Sequence, residues 1–168
     1  MTEPDWFTEI ERKRDMPLES SEIGGLSDSD LDDRVWLRWA IDVADVPTLR
    51  GYDPAVRAYL ATRLFEWEIG NGGLHQYFFN YPSPDLLSVV LEGYAFFGLD
   101  EVRDLVETSV QPIAAREQEW RESLRDGTIE TFFDSYPETD FNDLDEQVGF
   151  HDEVRVAYIR ANPELFAR

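Results

Sequence analysis

The sequence of 168 residues contains no cysteine, which excludes disulfides, thiol catalysis and zinc–thiolate sites. No apolar run approaches the ~18 residues that a transmembrane helix needs, and the first 15 residues lack the apolar core of a signal peptide. Basic residues are also scarce, because 15 of them face 36 acidic residues and leave a net charge of −21. We therefore expect a soluble, cytoplasmic protein that binds neither nucleic acid nor membrane directly.

The apolar residues that are present are enough to build a folded core. They make up 42% of the chain and the aromatic residues 14%, which is too much buriable surface for a disordered acidic tail. Their spacing is helical almost throughout, so we predict an all-α fold, a single compact domain of about six to eight helices. We predict that residues 1–53 form a helical and loop extension that packs on a domain formed by residues 54–168.

Local residue preferences place several helix boundaries. Residues 16–28 are typical of a loop, and Ser29 is the predicted N-cap of the following helix. Asp53 followed by Pro54 predicts the start of another helix. The glycine-rich residues 70–73 predict its end, since glycine tolerates a left-handed backbone. Pro112 predicts a kink or break in a later helix.

The negative charge is concentrated in three segments without a basic residue. Residues 15–33 hold 7 acids, residues 64–102 hold 6 and residues 126–153 hold 10, so the three carry −23 and the remainder of the chain carries +2. We predict a candidate acidic binding face from the first and third segments. Its residues are Asp28, Asp30, Asp32, Asp33, Asp134, Glu138, Asp140, Asp143, Asp145 and Glu146.

The total charge does not by itself make the surface similar to DNA. A folded surface of about 8,500 Å² would carry one net negative charge per ~400 Å² if the charge were evenly spread. The surface of duplex DNA carries about one per ~100 Å². DNA mimicry therefore requires the acids to gather on one face, about fourfold enriched over an even spread. The obvious sources are residues 15–33 and 126–153, which would bring 17 carboxylates together if they fold side by side.

The sequence contains no recognisable catalytic or metal-binding pattern. Asp28–Asp33 begin like a calcium loop, but an aspartate stands where the sharp turn needs glycine. His75 and His151 have no metal-ligand spacing, and no serine lies in a G-x-S-x-G turn. Glu66 and Glu68 are two residues apart on a helix, so they point to different sides and cannot act as a carboxylate pair. We therefore predict no enzyme, metal or cofactor.

The most distinctive segment runs from Asn71 to Asn80, with the sequence NGGLHQYFFN. Its two glycines allow a positive φ and a close backbone approach, which favours a corner between two helices. Gln76 and Asn80 are four residues apart, so on a helix they share a face. We favour a structural role, in which their amides satisfy buried turn carbonyls, over a ligand site.

This segment resembles the motif of a bacterial and archaeal domain-of-unknown-function family, whose best-known member is an acidic DNA mimic protein. The resemblance covers about residues 54–168. It implies an all-helical fold and, by analogy, binding to a DNA-binding protein through carboxylates placed where phosphates would lie. The motif residues, which also form a possible ligand face, are Glu68, Asn71, Gly72, Gly73, Gln76, Tyr77, Phe78 and Asn80.

Three interpretations of the acidity remain open. The chain is a binding protein, a DNA mimic that occupies the DNA-binding surface of a basic protein such as a transcription regulator. Alternatively, its charge is a proteome-wide or halophilic adaptation, which would suit a chain with 14 Arg and one Lys among its bases. The third interpretation is an antitoxin or immunity-like inhibitor of a nuclease. A homodimer is compatible with each of them.

Overall fold

The structure, a computed structural model, describes residues 14–39, 45–81, 83–115 and 144–167. For residues 75, 112–115 and 145 it describes the backbone alone. These ranges contain nine helices and no strand, which confirms the predicted all-α class. None of these helices has both the length and the apolar character needed to cross a membrane.

Five of the helices have ten or more residues and four are shorter. In chain order they are α1 Ser20–Ile23, α2 Asp28–Trp39, α3 Val46–Gly51, α4 Pro54–Asn80, α5 Pro84–Phe96, α6 Asp100–Ala115, α7 Leu144–Val148, α8 Asp152–Ala161 and α9 Pro163–Phe166.

The chain divides into two compact units. The first comprises residues 1–60 and 151–168, and the second comprises residues 61–150. The sequence-based division after residue 53 follows the extent of the family resemblance rather than compactness, and it stays a prediction.

In the first unit, α8 packs against α2 and α9 packs against α1. Leu31, Val35 and Trp39 recur every four residues and form the buried stripe of α2. The buried ring of Tyr59 meets Phe166 edge to face, with 6.0 Å between ring centroids. Each such large side chain contributes about 1.5–3 kcal/mol when it is withdrawn from water.

The second unit has an aromatic centre built from α4 and α5. The Phe65 ring lies 4.8 Å from Tyr77 and 6.3 Å from Tyr94 between centroids, both edge to face. All three side chains have no measurable exposure. Helix α6 packs on α5 and on α7. The aromatic centre joins Tyr77 in the second half of α4 to the first half and to α5, so it fixes that part of the helix.

Capping residues define several helix starts. The pairs Asp53–Pro54 and Ser83–Pro84 each place a capping side chain before a proline in the first turn. The first of these confirms the start that Asp53 and Pro54 predicted. The cap of α2 was predicted two residues too late. Ser27, not Ser29, accepts the bond from the backbone N–H of Asp30 at 3.1 Å and donates to its carboxylate at 2.6 Å. Both serines are good caps, and the choice depends on register.

Two short helices and one proline depart from the sequence-based predictions. Helix α1 lies within the predicted loop 16–28, where Glu19 and Glu22 form a reciprocal capping box. Helix α3 was not predicted, because six residues are too few to show helical periodicity. The backbone of α6 stays helical through Pro112, so of the predicted kink or break the break is absent.

Candidate functional site

The Asn-Gly-Gly motif interrupts α4 within the second unit. Gly72 has φ −161° and ψ 23°, and Gly73 has φ 71° and ψ −171°, whereas the residues on either side are helical. The predicted corner at these glycines is therefore confirmed, and the helix resumes after them as far as Asn80.

The two glycines are required for different reasons. A Cβ on Gly72 would overlap the amide oxygen of Gln76 and lie 3.1 Å from its Cδ. A Cβ on Gly73 would meet nothing within 4 Å, but its φ of 71° is one that other residues rarely adopt. Gly72 therefore makes room for a side chain, and Gly73 makes the backbone turn possible.

A single carboxylate joins the two sides of this corner. The Oε2 atom of Glu68 accepts a hydrogen bond from Gln76 Nε2 at 3.2 Å and another from Asn80 Nδ2 at 2.7 Å. The two amides do share one helix face, since both reach the same oxygen. Their partner is the Glu68 carboxylate rather than the turn carbonyls that we predicted from the sequence. Hydrogen bonds to a charged acceptor of this kind contribute about 1.5–3 kcal/mol each.

Two tyrosines lie beside this carboxylate. Tyr77 is fully buried, and its hydroxyl has no hydrogen-bond partner among the described residues. Burial, and then the nearby Tyr81 and Glu68, raise the pKa of Tyr77 well above its ordinary value. Tyr81 is half-buried, and burial followed by the charge of Glu68 raises its pKa as well. We call Glu68, Gln76, Tyr77, Asn80 and Tyr81 the Glu68 cluster.

Three other residues near this corner, Phe78, Asn71 and Glu66, are not part of the Glu68 cluster. Phe78 is buried, with its ring 5.2 Å from that of Tyr77, and Asn71 is exposed. Glu66 is 1% exposed and accepts a hydrogen bond from the Tyr94 hydroxyl at 3.3 Å. Within the described ranges, no three His, Cys, Asp or Glu side chains gather closely enough to hold a metal ion.

The first half of the predicted acidic face lies in the first unit. Six of the seven acidic side chains from Asp15 to Asp33 are exposed, among them Asp28, Asp30 and Asp33. Asp32 is the exception, because it is only 7% exposed and its carboxylate accepts a hydrogen bond from the buried Tyr59 hydroxyl at 2.8 Å. The structure thus places Asp32 in the core rather than on the acidic face, because its position on α2 faces inward.

Arg160 fixes the beginning of this acidic segment. Its guanidinium group donates to the carbonyl oxygens of Ile23 at 2.7 Å and Leu26 at 2.8 Å, and to the Asp28 carboxylate at 2.6 Å. Charge counting along the sequence could not identify this role. One indication is the almost exclusive use of arginine, whose planar group can donate in several directions.

Two more arginines bind the backbone that precedes α2. Arg34 donates to the carbonyl of Pro17 at 3.1 Å, and Arg38 donates to that of Met16 at 3.3 Å. These bases lie on α2 and are directed at the chain itself.

The second half of the predicted face lies largely outside the described residues. This applies to Asp134, Glu138, Asp140 and Asp143, and to the side chain of Asp145, whereas Glu146 is exposed in the second unit. The predicted meeting of residues 15–33 with residues 126–153 therefore stays a prediction. His151 is the N-cap residue of α8, and its side chain does not bond to the helix start.

Comparison with known proteins gives one family match. Residues 50–162, more than half of the chain, match the family described as DMP19-like protein. The matched range contains the Asn-Gly-Gly motif, the whole Glu68 cluster and Arg160. No curated protein and no solved structure matches the chain.

Proposed function

We propose that this chain, which belongs to the DMP19-like protein family, is a non-catalytic acidic protein that occupies the DNA-binding surface of a basic protein. The observation that carries the proposal is the exposure of six carboxylates between Asp15 and Asp33, a segment without a basic residue. Family membership supports it, because the family's best-known member is an acidic DNA mimic. The partner would be a basic DNA-binding protein such as a transcription regulator.

The start of α2 has a local charge density close to that of a DNA strand. Asp30 and Asp33 are both exposed and lie three residues apart on one face of α2, about 4.5 Å apart along the helix axis at 1.5 Å per residue. Successive phosphates of one DNA strand are about 3.4 Å apart along the axis. Asp28 points to another side of the helix and pairs with Arg160, so Asp30 and Asp33 are the two charges whose spacing is close to that of a strand.

This charge also sits on a fixed backbone. The carbonyl contacts made by Arg160, Arg34 and Arg38 hold residues 16–28 against their own unit. A binding surface that is already ordered loses less conformational entropy when the partner docks. Such preorganisation supports a role of this charge in binding a partner rather than a role in solubility alone.

The test compares two doubly substituted chains of equal net charge. Asp30→Asn with Asp33→Asn neutralises the start of α2, and Asp85→Asn with Glu101→Gln neutralises two exposed acids in the first turns of α5 and α6. DNA-binding proteins retained by the wild-type chain at low salt are purified, and their affinity for each variant is measured with and without competing duplex DNA.

We expect the α2 double variant to lose about tenfold in affinity, equivalent to ~1.4 kcal/mol, and the control to lose much less. Bound partner should be displaced by duplex DNA and by rising salt. Equal losses in both variants would show that only total charge matters, as a general adaptation to salt would predict. A partner that stays bound in excess duplex DNA would contradict mimicry.

A further inference from the structure

The carboxylate of Glu68 is a buried charge without a cation. Its side chain is 7% exposed, and the ion pairs found among the described residues do not include it. Both of its hydrogen bonds come from neutral amides and go to the same oxygen, Oε2. Carboxylates are almost never so deeply buried unless they are paired, so the environment of Glu68 lacks a positively charged donor.

The hydroxyl of Tyr77 provides a second, independent observation. It is completely buried and has no hydrogen-bond partner in the described part of the chain, whereas buried hydroxyl groups are nearly always bonded. It lies within the range of the Glu68 charge, which helps to raise the pKa of this tyrosine. Tyr77 also directly follows Gln76, which bonds to the Glu68 carboxylate, so a carboxylate that lacks a cation and a hydroxyl that lacks a partner belong to one cluster.

This place is close to the protein surface. Asn80 is exposed, and Gln76 and Tyr81 are half-buried. The cluster therefore lies at the edge of the second unit, where Glu68 itself keeps 7% of its exposure. The two amides hold the carboxylate in one orientation, with Oε2 engaged and Oε1 accepting no hydrogen bond from any described residue.

We propose that the Glu68 cluster binds a guanidinium group, presented by an arginine side chain of the basic partner. The charge of the group matches Glu68. Its planar fork of donors can bond to the Oε1 atom of Glu68 and the Tyr77 hydroxyl together, which a compact ammonium group does less well. The identity of the partner rests on the proposed function, but recognition of the guanidinium group does not.

The binding is tested with methylguanidinium on the full-length protein. The side-chain amide groups of Gln76 and Asn80 give ¹⁵N–¹H signals that report directly on the Glu68 carboxylate. We expect saturable, millimolar binding that shifts both signals, and no such response to methylammonium or sodium chloride at equal ionic strength. A linear response, or an equal response to methylammonium, would overturn the proposal.

Three variants make the test specific. Glu68→Gln should abolish the saturable shift. Tyr77→Phe, which removes only the unpartnered hydroxyl and keeps the ring, should fold normally and weaken binding about tenfold. Glu101→Gln, an exposed acid in the same unit, should bind as the wild type does. If Tyr77→Phe and Glu68→Gln each bind methylguanidinium as tightly as the wild type does, the site is refuted.

Two outcomes distinguish failure of the guanidinium site from failure of the proposed DNA mimicry. If methylguanidinium binds but no retained partner is displaced by DNA, the site stands and DNA mimicry fails. If a DNA-displaceable partner is found but Glu68→Gln binds it as tightly as Glu101→Gln does, the partner's arginine does not enter the cluster and this inference fails.

Discussion

Gly72 and Gly73 are adjacent, yet the structure predicts that substitution of each fails for a different reason. A double-mutant cycle separates the two reasons. It consists of Gly72→Ala, Gln76→Ala and the two combined, with Gly73→Ala measured alone and together with Gln76→Ala. The cycle tests whether the Gln76 amide is the physical obstacle at Gly72.

The magnitudes follow from the contacts at each position. An alanine methyl at Gly72 overlaps the Gln76 amide, and moving that amide breaks its hydrogen bond to Glu68, which costs about 1.5–3 kcal/mol. In the Gln76→Ala chain the amide is already gone and only the Cβ contact of 3.0 Å remains. Gly72→Ala should then cost less, which gives a coupling of about 1–2 kcal/mol. Gly73→Ala meets no atom and should cost about 1–3 kcal/mol of backbone strain in either background.

The free energy of unfolding is measured in urea by far-UV circular dichroism, with the slopes compared among variants. Because all these residues lie in the second unit, amide hydrogen exchange in α5 and α6 repeats the cycle if unfolding is not two-state. Equal costs for Gly72→Ala in both backgrounds would refute the steric explanation. A Gly73→Ala variant as stable as the wild type would refute the backbone explanation.

Three further predictions concern polar side chains. Tyr77→Phe should leave the free energy of unfolding unchanged or raise it by up to ~1 kcal/mol. Because folding raises the pKa of Tyr77, the contribution of this group to stability is complete below its ordinary pKa of 10.0 and is lost at higher pH. The urea midpoint should therefore fall less steeply above about pH 10 in this variant than in the wild type. Arg160→Ala should destabilise the protein by about 2–3 kcal/mol and speed hydrogen exchange in the loop it holds, whereas Arg103→Ala, which breaks exposed ion pairs, should cost less than ~1 kcal/mol. Tyr59→Phe removes a buried hydrogen bond to Asp32 and should cost about 1–2 kcal/mol in thermal unfolding, with no change if that bond is absent in solution.

Parts of the fold that depend on neighbouring residues alone could be predicted from the sequence. The start at Asp53–Pro54 follows from a capping side chain and a fixed proline φ, and it was predicted correctly. Helix α3 could not be found, because six residues show no periodicity. Ser27 and Ser29 could not be distinguished as caps of α2, since tertiary packing of Leu31 decides which face turns inward.

The candidate site shows the same limit at longer range. That Gln76 and Asn80 share a face follows from helical spacing. Their common partner could not be predicted from helical spacing, because Glu68 lies on the other side of a corner whose geometry depends on the φ of 71° at Gly73. Burial of Glu68 and Tyr77 depends in turn on the aromatic packing between α4 and α5, which no local pattern specifies.

The preference for arginine also has a structural explanation that differs from the compositional one. Adaptation to a salty environment or a biased genome would place arginine wherever a cation is tolerated. In the first unit, however, Arg34, Arg38 and Arg160 donate to backbone carbonyls, and Arg160 reaches two carbonyls and a carboxylate at once. A lysine at position 160 would keep the net charge but lose the planar arrangement of donors. The two explanations therefore differ over Arg160→Lys: composition alone predicts no effect, whereas the geometry predicts that the acidic segment loosens.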